Sequence, residues 1–202
     1  MATDASRHRA SEVDGRAPTF VHIGGQRCGT TWMYRCLSEH PSVFTSDPKE
    51  LHYFDDGNFE NGIQWYLNRF RPDSQHEAWG EVTPRYLSWR TNGEASVPAR
   101  LAQVAPDCRI ICCLRNPVDR AYSQWKTFLR SENGPSFEEA IEKDIGNCLQ
   151  RGLYARHLKR WLSHFDREQL LVQIHGDVLQ ENTAAVREVY QHVGVDPDFV
   201  PS

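Results

Sequence analysis

The residues best suited to chemistry in this chain lie in Gly24-Gly25-Gln26-Arg27-Cys28-Gly29-Thr30-Thr31. Glycines let successive backbone N–H groups curl around one oxyanion, and a helix opening at this point adds the partial positive charge of its N-terminus. The spacing nearly fits G-x-x-x-x-G-K-[ST], but Thr30 stands at the lysine position and the cation is Arg27. A second segment, Leu114-Arg115-Asn116-Pro117-Val118-Asp119-Arg120-Ala121-Tyr122-Ser123, places a cation where a metal-dependent nucleoside triphosphatase needs an acid for Mg²⁺. The pair describes a phosphate loop that works without a metal. In Lys49-Glu50-Leu51-His52-Tyr53-Phe54-Asp55, Glu50 and His52 are two residues apart, which in an extended segment turns both side chains to the same side.

The elements that must position these residues follow from periodicity. Phe20 to Gly24 is a short strand ending in glycine, and a helix from about Thr31 to Glu39 stops at Pro41. Short strands are expected at Val43–Thr45 and Trp79–Val82. Helices are expected over Gly62–Phe70, where Ile63, Tyr66, Leu67 and Phe70 share a face, and around Val97, Leu101 and Val104. Arg109 to Leu114 is a continuous apolar strand of the kind buried in parallel sheets. Pro117 opens a helix expected to turn Ala121, Tyr122, Trp125 and Phe128 inward, and Ser136-x-x-Glu139 opens another with a capping box. A helix over Leu153–Phe165 precedes a strand at Leu170–Ile174, and Asn182 caps a last helix ending at Gly194. Trp32, Trp65, Trp125 and Trp161 are read as core, and His22 as a packed strand residue. Strands alternating with helices make this an α/β chain with a parallel central sheet and right-handed crossovers.

Composition narrows the function classes. A chain of 202 residues suits a single core, and 39 % apolar residues with 6 Trp, 7 Tyr and 9 Phe exclude disorder as its main state. Residues 1–18 are polar and are expected to be a disordered leader ahead of a domain spanning 19–202. No apolar run reaches the roughly 18 residues of a membrane span. The net charge of −4 argues against nucleic acid as a partner. Within that acidic chain, Arg109–Arg130 and Arg151–Arg167 each hold five bases and one acid, which suits a small anion better than a polyanion. The six cysteines form no C-x-x-C pair, which fits a reducing, cytoplasmic compartment and no structural zinc.

With these segments in view, the chain resembles sulfotransferases that use 3′-phosphoadenosine 5′-phosphosulfate (PAPS), in particular the heparan sulfate and bacterial sulfotransferase branch. Gln26 to Thr31 resembles their 5′-phosphosulfate loop and Leu114 to Ser123 their 3′-phosphate motif. Lys49 to Asp55, Glu81-Val82-Thr83-Pro84, and Arg151-Gly152-Leu153-Tyr154 followed by Trp161 and Phe165 extend the similarity from about Phe20 to Val195. The resemblance implies a P-loop-like three-layer fold, a central parallel sheet flanked by helices, with PAPS as donor, PAP as product and no metal. It implies that Gln26, Arg27, Cys28, Gly29, Thr30 and Thr31 bind the 5′-phosphate, that Arg115 and Ser123 grip the 3′-phosphate, and that Tyr154 lies near the nucleotide. It implies catalytic roles for Arg27, as a permanently charged clamp in place of the usual lysine, for Glu50 as general base, and for His52 beside it. The acceptor would be a small molecule or saccharide bearing a hydroxyl or amine. Val82 stands where heparan-type members carry lysine. The chain stops at Ser202, ahead of a glycine- and lysine-rich loop that closes over the nucleotide in such relatives. Two other readings remain open on the sequence: a small-molecule kinase with a degenerate P-loop, and a non-catalytic nucleotide-binding module.

Overall fold

The computed structural model describes residues 17–55, 57–89 and 93–202. Five strands form one parallel sheet in the order β2-β3-β1-β4-β5: β1 is Phe20–Gly24, β2 Val43–Thr45, β3 Ala78–Val82, β4 Arg109–Leu114 and β5 Leu170–Ile174. Central β1 is fully buried, and its side chains alternate between two apolar clusters. Phe20 joins Ile111 of β4 under helices α1 (Thr30–Glu39) and α8 (Asn182–Val193). Val21 and Ile23 join Ile110 and Cys112 on the opposite face, under α3 (Val97–Val104) and α6 (Tyr154–Trp161). This is the expected three-layer α/β arrangement, each fully buried large apolar side chain contributing about 1.5–3 kcal/mol. Between these elements lie α2 (Ile63–Leu67), α4 (Pro117–Phe128), α5 (Phe137–Glu142) and α7 (His175–Gln180).

The strands and most helices fall where periodicity puts them, with five differences. Helix α2 is shorter than the expected 62–70, and α6 ends at Trp161, not Phe165. Asn182 does not cap α8, because it is already the first helical residue and Glu181 holds the cap position. Trp32 is 36 % exposed and so is not core. The fifth is the orientation of α4: Tyr122 and Phe128 face outward at 46 % and 68 % exposure, while Arg120, Ala121 and Gln124 are buried. The cause is the irregular chain before α6, whose carbonyls need donors. Arg120 donates to the Cys148 carbonyl and Gln124 to that of Gly146 at 2.7 Å. Of the expected leader, residues 1–16 lie outside the described residues. The Ala17 carbonyl accepts the Trp79 indole N–H at 2.7 Å.

Candidate active site

The carboxyl ends of β1 and β4 lie side by side, where open α/β sheets bind their ligands. The loop after β1 is tied to β4 by the Gly25 N–H, which donates to the Cys113 carbonyl at 2.7 Å. At its base Gly24 has φ +121°, and a Cβ there would meet the Pro84 carbonyl oxygen at 2.2 Å. Its N–H donates to Nδ1 of buried His22 at 3.2 Å. Burial, then the Lys49 charge, pushes the His22 pKa down to about 3, so the ring is neutral and can accept that bond. His22 therefore does more than pack.

Gly29, with φ +83°, precedes α1, whose first turn has neither a side-chain cap nor an acid. The first N–H groups of a helix have no partner within it, so this end faces the loop with uncompensated positive charge. Cys28 contributes backbone alone: its thiol is buried with Cys113 and Val178, and burial pushes its pKa up to about 11. Thr30 is buried, whereas Thr31 is exposed and Gln26 half-buried.

Arg27 reaches from the loop to α4. Its Nε donates to Ser123 Oγ at 3.2 Å, and its guanidinium lies 5.7 Å from the Phe128 ring centroid. Two residues 96 positions apart, one from each expected phosphate motif, thus meet. Arg115 follows β4 directly, and the Tyr154 hydroxyl donates to its carbonyl at 2.8 Å. Tyr154 therefore holds the turn that carries Arg115. His175, just past β5, gives no sequence pattern, yet its ring would lie 3.3 Å from a Cβ on Gly29. Burial and the Arg115 charge lower its pKa.

The segment 49–55 forms a second wall near the loop, its Lys49 charge acting on His22 at the base of the loop. Lys49 Nζ donates to Glu50 Oε1 at 2.5 Å, and Glu50 Oε2 lies 3.5 Å from His52 Nε2. His52 Nδ1 is 2.8 Å from Asp55 Oδ2, and that oxygen is 3.0 Å from Arg85 Nε. The expected extended geometry is absent: Glu50 and His52 have φ of 64° and 50°. The backbone curls, and the two side chains still meet. The His52 hydrogen bond, then Lys49, lowers the Glu50 pKa to about 2. Asp55 first, then Glu50, raises that of His52 to about 9. At neutral pH the row is carboxylate, imidazolium, carboxylate, guanidinium.

Beneath this wall sits Glu81, fully buried, its pKa raised to about 7 by burial. Its carboxyl accepts from Tyr66 at 2.8 Å, Tyr86 at 3.2 Å and Thr83 at 2.5 Å. The Tyr86 hydroxyl also accepts the N–H groups of Tyr53 and Phe54 at 2.9 and 3.3 Å, clamping the curl that carries Glu50 and His52. Sequence reasoning missed Lys49, Tyr86 and His175 as parts of the site. Lys49 had only its place beside Glu50 to mark it.

Residues 18–199 match the family model described as sulfotransferase domain. The chain belongs to the sulfotransferase family. It is 34 % identical to human bifunctional heparan sulfate N-deacetylase/N-sulfotransferase 3, over 97 % of this chain and 25 % of that protein. It is also 34 % identical to mouse bifunctional heparan sulfate N-deacetylase/N-sulfotransferase 4, over 90 % of this chain and 23 % of that one. This sulfotransferase chain thus spans about a quarter of the length of these curated relatives. Among solved structures it resembles a sulfotransferase from Alicyclobacillus acidocaldarius at 30 % identity and a TM-score of 0.78, covering 92 % of this chain and 84 % of that one. Mouse sulfotransferase SULT7A1, solved in complex with PAP, shares the fold at 18 % identity and a TM-score of 0.61, over 95 % of this chain and 64 % of that one. No helix among the described residues is long and apolar enough to cross a membrane.

Proposed function

We propose that this chain transfers a sulfuryl group from PAPS to a hydroxyl or amine of a saccharide or small-molecule acceptor, without a metal. The observation that carries this reading is the Arg27–Ser123 contact, which joins the phosphate loop to the 3′-phosphate motif. The loop fits an anionic nucleotide: the α1 end carries no acid or side-chain cap, and the Arg27 guanidinium lies beside it.

In this reading the N–H groups of residues 26–31 hold the 5′-phosphate, and Arg115 with Ser123 holds the 3′-phosphate. PAPS supplies an activated sulfuryl group joined to that 5′-phosphate. The acceptor oxygen or nitrogen forms a bond to sulfur as the bond from sulfur to the phosphate oxygen breaks, and the electron pair leaves with the phosphate. The Arg27 guanidinium stabilises the charge that collects there and transfers no proton. Glu50 takes the acceptor's proton. A carboxylate with a pKa near 2 is a weak base in isolation, so its contribution is position, ionisation at all working pH values and a charged His52 to hold it. Asp55 and Arg85 fix that imidazolium.

Isothermal titration with PAP in the presence of a chelator tests the proposal. Binding that is unchanged by Mg²⁺ is expected. Affinity that appears only with Mg²⁺, or a preference for ATP, would support phosphoryl chemistry instead.

A further inference from the structure

Leu114 and Ile174 are paired at the ends of β4 and β5, so Arg115 and His175 occupy matching positions just past the sheet. Val178 of α7 packs with Cys28 of the phosphate loop, and residues three apart on a helix share a face. His175 therefore comes down on the next loop residue, Gly29. The Cδ2–Nε2 edge of its ring faces that glycine: a Cβ there would stand 3.3 Å from Cδ2 and 3.6 Å from Nε2.

This half-buried ring has no hydrogen-bond partner among the described residues. Other enclosed imidazoles are bonded through at least one nitrogen: His22 to the Gly24 N–H, His157 to the Gln150 carbonyl, and His192 to those of Ile110 and Gln169. An imidazole held beside a phosphate loop with both nitrogens free is equipped to meet a ligand.

The ring also stands in a field that an anionic ligand reverses. Arg115 forms no ion pair among the described residues, and its charge, after burial, lowers the His175 pKa. The other titratable groups of the adjoining elements do not offset it. The Cys28 and Cys113 thiols are neutral, with pKa values of about 11 and 12. Arg27 is turned to Ser123, Glu188 of α8 accepts from Gln173, and Asp177 of α7 is exposed. The free ring is thus neutral at pH 7. Each phosphate of a bound nucleotide brings about −1.5 to −2 charges, which neutralise Arg115 and favour the protonated ring.

We propose that His175 is a nucleotide-binding residue that takes up a proton from solvent as the 3′,5′-bisphosphate binds, and holds it as an imidazolium. This rests on the nucleotide-binding reading above. Affinity for the nucleotide gains from this ring as pH falls through the neutral range, and a rise in pH favours release of PAP.

Calorimetric titration of the whole chain with PAP near pH 6.5, in PIPES and in bis-Tris, tests the proposal. The two buffers differ in heat of ionisation, so the difference in measured heat counts the protons exchanged. The wild type should take up about half a proton or more beyond His175→Gln, because the ring then titrates below 6.5 when free and above it when bound. The PAP phosphates, with second pKa values of about 6, and Glu81, at about 7, titrate in the same window. Both are common to the two proteins, so the difference isolates the ring. Near pH 6 the wild type should bind PAP about tenfold more tightly than His175→Gln, the factor that one unit of pKa rise supplies, and near pH 8.5 about equally. His175→Lys, charged at both pH values, should bind tightly at both. Nitrogen-15 NMR of the wild type needs no variant: adding PAP should move the His175 titration from below its ordinary value of 6.5 to above it.

Equal proton uptake in the wild type and His175→Gln, or an affinity ratio that does not change with pH, overturns the proposal and leaves nucleotide binding standing. So does a His175 titration that PAP does not move, or His175→Lys that binds no better than His175→Gln near pH 8.5. A wild type that binds no PAP at any pH overturns the nucleotide reading, and this inference with it.

Discussion

Removing one oxygen atom beneath the wall that carries Glu50 should cost both stability and turnover. The Tyr86 hydroxyl is buried and makes three hydrogen bonds: it accepts from the N–H groups of Tyr53 and Phe54 and donates to Glu81. Tyr86→Phe keeps the ring and its packing against Phe54, and strands both N–H groups in a dry interior. A buried donor left without a partner costs about 1–3 kcal/mol. The 2.9 Å bond to Tyr53 belongs to the upper part of that range and the 3.3 Å bond to Phe54 to the lower part. Glu81 loses one of three donors but keeps Tyr66 and Thr83, which limits its share. The sum is about 3–5 kcal/mol, read as a lower urea midpoint at unchanged slope. The freed curl should also let Glu50 wander, lowering kcat about tenfold or more while PAP affinity holds. A loss below about 0.5 kcal/mol with full activity would refute the clamp.

Three further outcomes follow from the same geometry. Glu81 is an acid whose folded pKa, about 7, lies above its unfolded value of 4.5. The folded state therefore binds the extra proton, and stability should fall as pH rises from 4.5 to 7, by at most about 3 kcal/mol. Denaturation midpoints across that window should lose this slope in Glu81→Gln. Arg115→Ala should weaken PAP by about 1.5–3 kcal/mol in calorimetry, and weaken a nucleotide lacking the 3′-phosphate far less; equal losses would refute the contact. Gly24→Ala, which drives a methyl group to 2.2 Å from the Pro84 carbonyl oxygen, should displace the loop and abolish PAP binding.

The sheet was legible because a parallel sheet covered on both faces writes itself as unbroken apolar runs such as Arg109–Leu114. The loop was legible because glycine spacing is a backbone requirement, visible at Gly24 and Gly29. Helix α4 was misjudged for an equally physical reason: its inner face answers the carbonyls of residues 146 and 148, so Arg120 and Gln124 are buried where periodicity counts apolar residues. The Glu50–His52 meeting was anticipated on extended geometry and is achieved by left-handed backbone. The supports of that curl, Tyr86 and Glu81, lie about thirty residues downstream, and no local pattern links them to it. His175 joins the site through the β5 register, which spacing does not reveal.

The role of Glu50 is tested most directly by transfer of radiolabelled sulfuryl groups from PAPS to a panel of hydroxyl and amine acceptors, run beside PAP titration, for the wild type and Glu50→Gln. Labelled product is expected from the wild type, with a loss of turnover of about a hundredfold or more in Glu50→Gln and the same PAP affinity for both. Glu50→Gln that turns over normally, or that loses PAP, would contradict the assignment of the carboxylate as the group that takes the acceptor's proton.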